Sequence, residues 1–232
     1  QFYETNVLEI LTAGGWLIWP IIICSIIALA IIIDKYRSLQ DDRILPKGLY
    51  DKIENLVQEK KLTNAHLNAI ADQSPLGKIF ATAVTHAHVS KAELKATVED
   101  SGRHQVHAME KYLNSLGSIA AMTPLIGLLG TVVGMIKVFA AITAVGIGQP
   151  QELAEGISQA LITTAAGLTV AIPSLMFYRY FKGRIETLSI DMEREVLRLF
   201  GLIDRIKASE KASEIQSEKP APEKDNHRQD AA

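Results

Sequence analysis

Charged and apolar residues are segregated along this chain. Three windows, residues 13–33, 112–135 and 156–178, contain no charged side chain, and they alternate with segments rich in lysine, arginine, aspartate and glutamate. Each window reaches the roughly 20 residues that an α-helix needs to cross a bilayer core. The apolar character of the second window continues past Lys137 to residue 147. The pattern therefore predicts an all-α membrane protein with three transmembrane helices, the second of them over 112–147.

The first window could also be interpreted as a cleaved signal peptide. Glu4 and Glu9, rather than lysine or arginine, precede it, and no small-residue cleavage site follows it. Trp16 and Trp19 lie at its start, where amphipathic rings favour the headgroup layer of a membrane. We therefore interpret this window as a transmembrane helix.

The distribution of positive charge predicts the orientation of the helices. Lysine and arginine are concentrated directly after the first and third windows, and none occurs in the connection 148–155. By the positive-inside rule, residues 1–12 and the connection 148–155 lie outside the cytoplasm. Residues 34–111 and 179–206, together with the tail 207–232, then lie inside it.

The cytoplasmic segments are predicted to be helical extensions of the membrane helices. In 34–111, apolar residues recur at helical spacing, a break falls at Ser74-Pro75, and a new helix begins at Ser90 with no strong breaker before the second window. After the third window one apolar stripe continues inward: Ile185, Leu188, Met192, Val196, Leu199 and Ile203. The tail 207–232 is dominated by polar residues and proline and is predicted to be disordered.

Small residues mark surfaces of the second and third windows that can pack closely. In the second window they are Gly127, Gly130 and Gly134, of which the last two form a small-xxx-small pair. In the third window a small or hydroxylated stripe runs at helical spacing through Gly156, Ala160, Thr163, Gly167, Ala171 and Ser174. Pro124 and Pro173 each free a backbone carbonyl inside the membrane, which neighbours or water must satisfy.

Polar side chains in the same windows have two interpretations. Serine and threonine can bond back to their own helix, and small residues are common wherever membrane helices pack. We prefer that interpretation for Ser158, Thr169 and Ser174. For Gln159, Thr131 and Thr164, and for Thr163 in the same stripe, lining of a pore is the competing interpretation, because hydrocarbon cannot satisfy a buried amide.

Lys137 is the one charged residue embedded in the membrane windows. An intramembrane charge is by default a candidate functional residue. The residue lies toward the outer half of its helix, however, so its side chain could instead extend outward or pair with Glu152 or Glu155. We favour this structural interpretation and keep the functional one open.

Several other functions are disfavoured. A net charge of −2 offers no basic surface for nucleic acid, and Cys24, the single cysteine, cannot form a disulfide within the chain. The histidine pairs 86/88 and 104/107 lack neighbouring ligands, so we expect no metal site and no cofactor. No nucleophile, base and orienting group occur together, and we therefore expect no enzyme.

Two segments resemble the signature helices of the MotA/TolQ/ExbB proton-channel family, nearest to its ExbB members. They are residues 124–135, Pro-Leu-Ile-Gly-Leu-Leu-Gly-Thr-Val-Val-Gly-Met, and residues 156–173, Gly-Ile-Ser-Gln-Ala-Leu-Ile-Thr-Thr-Ala-Ala-Gly-Leu-Thr-Val-Ala-Ile-Pro. The resemblance extends over about residues 7–205. It implies a homopentamer in the bacterial inner membrane, with the N-terminus in the periplasm, that surrounds an ExbD-like single-span protein bearing a membrane aspartate. It further implies that the complex drives a TonB-like protein for uptake of iron-siderophores.

The resemblance also assigns roles to individual residues. Thr131 and Thr164 match the family's pore-facing threonines, and Pro124 and Pro173 match its helix-bending prolines. Gln159 occupies a position where many members carry glutamate, so the ion pathway would depend more on the partner's aspartate. Two alternatives remain: a TolQ-like or motility stator subunit of the same family, and a membrane scaffold that conducts no ions.

Overall fold

The computed structural model describes residues 14–58, 63–145 and 150–217, and every regular element in these ranges is an α-helix. In chain order the helices are α1 (Ile18–Ser38), α2 (Asp41–Ile44), α3 (Leu49–Gln58), α4 (Asn64–Gln73), α5 (Pro75–Thr85), α6 (Lys91–Glu110), α7 (Leu113–Val145) and α8 (Pro150–Ser217). Three helical stretches, within 18–38, 91–143 and 150–209, are long and apolar enough to cross a membrane. The predicted all-α fold with three candidate membrane helices is therefore confirmed.

The described chain forms two compact units. The first holds the described residues up to Pro46 and those from Asp100 to Asp191, and the second holds Lys47–Glu99 and the described residues from Met192 onward. In the first unit, α1 packs against α7. The apolar residues of α7 are spread around the whole helix, as expected where lipid and other helices surround it.

In the first unit, α7 and α8 approach each other along glycines. A Cβ atom on Gly130 would lie 2.6 Å from the Cβ of Thr163, and a Cβ on Gly134 would lie 2.8 Å from the backbone oxygen of Gly156. Non-bonded carbon atoms pack at about 3.5–4.0 Å, so no larger residue fits at these points without moving a neighbour. We call this contact the glycine seam; its members are Gly127, Gly130, Gly134, Gly156 and Gly167.

The sequence predicts a helix from Ser90 that continues without a break into the second membrane window, and the structure contradicts this prediction. This helix ends at Glu110, and Tyr112 has a φ of 65°, the left-handed conformation that ends an α-helix. Lys35 supports this end from α1, because its buried Nζ donates a hydrogen bond of 3.0 Å to the carbonyl of Met109 in the last turn of α6. A cation at this end also interacts favourably with the helix dipole.

Other helix ends differ from the predicted boundaries. The first helix begins at Ile18 rather than 13, because Gly15 adopts a φ of +67° just before it, and it continues past the apolar window to Ser38. α8 already begins at Pro150, inside the connection predicted over 148–155, since proline suits the first turn of a helix. It also extends through Ser217, so residues 207–217 of the predicted disordered tail are helical. Residues 1–13, 146–149 and 218–232 lie outside the described residues.

The second unit contains only parts of the segments that were predicted to be cytoplasmic, namely residues 47–99 and the described residues from 192 onward. α4 and α5 pack together, separated at Ser74, whose Oγ accepts a hydrogen bond of 3.0 Å from the Gly77 N–H. Ser90 caps α6 in the same way, accepting from the Glu93 N–H at 3.3 Å, which confirms the predicted helix start. On the part of α8 within this unit, the predicted apolar stripe is buried at Met192, Val196, Leu199 and Ile203.

The glycine seam makes a testable prediction at Gly134. We expect Gly134→Ala to lower the free energy of unfolding by about 1–3 kcal/mol, because the added methyl meets backbone that cannot move aside. This loss should exceed the gain of about 1 kcal/mol that alanine brings to a helix. Denaturant or thermal unfolding of the purified protein in detergent measures the change.

Gly183 on α8 provides the matched control, since a Cβ there meets no other atom within 4 Å. Gly183→Ala should raise stability by up to about 1 kcal/mol through helix propensity alone. If the two substitutions changed stability in the same direction, close packing at the seam would be refuted.

Candidate functional site

The candidate site lies along the glycine seam, where polar side chains of α7 and α8 sit beside the glycines. Thr164 is half-buried and its hydroxyl donates a hydrogen bond of 3.0 Å to the carbonyl of Gly127 on α7. Thr131 follows Gly127 by one helical turn and is also half-buried, and its hydroxyl donates to the Leu128 carbonyl of its own helix at 2.6 Å. The two threonines therefore lie beside the same stretch of α7. The hydrogen bond of Thr164 joins α8 to α7, whereas that of Thr131 stays within α7.

Thr163 has a different environment from its neighbour. Its side chain is fully buried, and its hydroxyl lies 2.6 Å from the carbonyl of Gln159 and 3.2 Å from that of Gly14. It also forms the wall against which Gly130 packs. This is the environment of a residue that packs helices inside one subunit rather than one that lines a lumen.

Gln159 joins three segments of the chain. Its Oε1 accepts a hydrogen bond of 2.9 Å from Lys137 Nζ on α7, and its Nε2 lies 3.5 Å from the carbonyl of Gly14, just before α1. Gly15 completes the contact, because a Cβ there would overlap the Gln159 amide. Both polar atoms of the Gln159 side chain, Oε1 and Nε2, thus have hydrogen-bond partners within the subunit, which hydrocarbon could not provide.

Lys137 has a partner other than those expected from the sequence. The sequence suggested Glu152 or Glu155, whereas in the structure the amine binds Gln159, which lies further into the apolar window of α8. Among the described residues, Lys137 has no carboxylate within ion-pair distance. The rest of its side chain is exposed in the isolated chain.

The two prolines lie inside continuous helices. Pro124 is in α7 and Pro173 is in α8, and neither interrupts its helix. Each has a neighbouring hydroxyl that bonds back to its own helix: Thr123 donates to the Ile119 carbonyl, and Ser174 donates to the Val170 carbonyl at 2.7 Å. Proline removes one backbone hydrogen bond from a helix, and these hydroxyls lie where the ladder is weakened.

Most of the residues selected from the sequence are therefore found along one line of contact. The glycines, Thr163, Thr164 and Gln159 meet across α7 and α8, with Thr131 at the border of the contact. Sequence reasoning missed the participation of Gly14 and Gly15. Two consecutive glycines before a membrane helix were the available signal, since glycine marks both left-handed backbone and close approach.

Comparisons with known proteins identify the family of this chain. The MotA/TolQ/ExbB proton channel family model matches residues 71–194, which include all of α7 and the membrane part of α8. The chain is 30% identical over 174 residues to the ExbB-like biopolymer transport protein 1 of Synechocystis sp., covering 72% of this chain and 66% of that relative. The match thus spans just under two thirds of that relative's length.

Two further relatives belong to different branches. The biopolymer transport protein exbB1 of Vibrio cholerae is 28% identical over 168 residues, 69% of this chain and 72% of that protein. The Tol-Pal system protein TolQ of Haemophilus influenzae is 36% identical over 87 residues, 38% of each chain. Since the family model covers more than half of the residues and three helices can cross a membrane, the chain is a multi-pass membrane protein that belongs to the MotA/TolQ/ExbB proton channel family.

Proposed function

We propose that the chain is the ExbB-like subunit of a motor in the bacterial inner membrane. In this proposal it assembles with an ExbD-like single-span partner and couples the proton-motive force to a TonB-like protein. The coupling energises uptake of iron-siderophores and similar nutrients through the outer membrane. We expect no enzymatic activity, since ion passage requires no covalent chemistry of its own.

The observation that carries the proposal is the pair Thr131 and Thr164 at the edge of the glycine seam. Both hydroxyls are half-buried within one chain, so they remain accessible to a neighbouring element. Their oxygens keep lone pairs free, because each hydroxyl uses its single proton on a carbonyl of α7. A ring of such oxygens could accept hydrogen bonds from water or a protonated acid in an otherwise apolar lumen.

An assembly of several copies is supported by the apolar surface of the isolated chain. Leu125, Ile136 and Ile172 are 63%, 62% and 65% exposed, and all lie in the membrane windows. Such side chains must face lipid or other protein. We propose five copies whose α7 and α8 surround a central lumen, with lipid on the outer side.

The partner is required because the described membrane windows contain no acid. Residues 18–33 of α1, α7 and residues 156–178 of α8 hold neither aspartate nor glutamate. A protonatable carboxylate in the lumen must then come from the single-span partner. Its protonation would remove a charge from an apolar environment and permit the partner to move relative to the subunits.

The charge distribution supports the proposed orientation. Lysine and arginine follow α1 and the third membrane window, so we propose a periplasmic N-terminus and a cytoplasmic C-terminus. A TolQ-like or motility subunit of the same family remains the second candidate, since the relatives include a TolQ protein. A scaffold that conducts no ions is the third.

The proposed assembly is tested by native mass spectrometry of the complex extracted from its own membranes in mild detergent. We expect five copies together with a single-span protein that bears a membrane aspartate, identified by sequencing its peptides. An oligomer without such a partner would contradict the motor and favour the scaffold. A partner from an envelope-constriction or motility system would shift the function to the other branches.

The lumen assignment is tested at the two threonines. We expect Thr131→Val combined with Thr164→Val to reduce siderophore-dependent growth or uptake at least about tenfold, which corresponds to 1.4 kcal/mol in a barrier. The oligomer should persist, because valine keeps the volume of threonine and each substitution removes at most one hydrogen bond, worth about 1 kcal/mol. Uptake and native oligomer mass are measured in parallel.

Two controls isolate the hydroxyl effect. Thr143→Val removes a hydroxyl that bonds only to α7 backbone at an exposed position and should leave uptake unchanged. Thr164→Ser keeps the bond to Gly127 and should retain activity. Wild-type growth of the double valine variant would refute a threonine-lined pathway.

A further inference from the structure

Lys137 is the single charge within the described apolar parts of the three membrane helices, and the proposed pathway does not use it. It lies eight residues before the end of α7 at Val145, roughly 12 Å along the axis at 1.5 Å per residue. Its partner Gln159 lies nine residues after the start of α8, roughly 13 Å from that end. Gln159 lies three residues inside the uncharged window 156–178, so both helices place the amine near the outer edge of the apolar part of the membrane.

The amine is held at this depth rather than extended to the surface. A lysine that reached outward would approach Glu155 or Glu152, which lie one to two turns nearer the start of α8 than Gln159. Instead Nζ donates to Gln159 Oε1 at 2.9 Å, and the described residues give it no carboxylate partner.

The hydrogen-bond acceptor of the amine is positioned by the surrounding backbone. The Gln159 amide is bonded to the Gly14 carbonyl and packs directly against Gly15. A lysine ammonium has three donors, and Gln159 uses one of them. The exposed side of Lys137 can therefore present two donors and a positive charge to a neighbouring molecule.

A charge held in hydrocarbon is costly unless an opposite charge pairs with it. Gln159 supplies a dipole but no negative charge. We propose that the ammonium of Lys137 binds a carboxylate carried by the transmembrane helix of a partner chain, and so sets the depth of that helix in the assembly. This inference rests on the proposed function, because it needs a partner with a membrane-embedded acid.

The direct test is carbodiimide cross-linking of the intact complex in native membranes. A membrane-permeant carbodiimide joins an amine to a carboxylate in contact with it, with loss of one water, and peptide mass spectrometry identifies the product. We expect a peptide in which Lys137 Nζ is joined to aspartate or glutamate in the membrane span of another polypeptide. A product that joins Lys137 to a glutamate of this chain, whether Glu152, Glu155, Glu4 or Glu9, of the same or another copy, would overturn the proposal.

The chain offers two positive controls for the reaction. Lys91 and Asp204 lie 2.6 Å apart at the surface, so their cross-link reports on the reagent in water. Gln159→Glu places a carboxylate beside Lys137, and its cross-link to position 159 reports on access within the membrane. If both controls react and the wild-type chain gives no product with a partner span, the proposed ion pair does not exist.

Variants at Lys137 separate charge from packing. Lys137→Met keeps the length of the side chain and removes the charge, and we expect the partner retained on purification to fall at least about tenfold. Lys137→Arg keeps the charge and should retain the partner while abolishing the cross-link. Full retention of the partner by Lys137→Met would reject the inference and leave the motor intact, whereas a wild-type chain that retains no partner would reject the proposed function itself.

Discussion

The structure of the membrane part depends on the absence of side chains where α7 meets α8. With glycine at five positions, the backbones approach until the space for a Cβ is taken by Thr163, Ala160 or main-chain oxygen. In lipid there is no hydrophobic force to bring helices together, so close van der Waals contact and hydrogen bonds must stabilise the pair. The seam supplies both, because the approach at Gly127 lets Thr164 reach a carbonyl of the other helix.

The same constraint determines which polar groups are buried inside the subunit and which remain at its border. Thr163 and Gln159 face inward and are satisfied by backbone and by Lys137, so they stabilise the contact with the segment that precedes α1. Thr131 and Thr164 lie at the edge of the seam, where a second molecule can reach their oxygens. Neighbouring residues on one helix, such as Thr163 and Thr164, thereby serve different purposes.

Much of the fold follows from the sequence because its causes are local. Three features can be recognised directly in the sequence: uncharged windows of about 20 residues, a serine cap at Ser90 and an apolar stripe in α8. The ends of the helices were less predictable. Tyr112 ends a helix although tyrosine rarely adopts a positive φ, and the last turn of that helix is held at Met109 by Lys35, 74 positions earlier. For the site, glycine spacing identified the seam, but it could not separate Thr163 from Thr164 or find the partner of Lys137, because both depend on the rotation of α7 against α8.

The residue at position 159 determines whether the charge of Lys137 is neutralised within the subunit. A glutamate at 159 would neutralise the lysine within the subunit, since the two side chains are only 2.9 Å apart. Glutamine accepts the same hydrogen bond and leaves the positive charge without a carboxylate partner among the residues that the structure describes. A membrane protein that retains an uncompensated charge bears an energetic cost that an apolar residue would avoid. The combination of lysine with glutamine is therefore the one that the proposed ion pair with another chain requires, because it keeps the ammonium available to that chain's carboxylate.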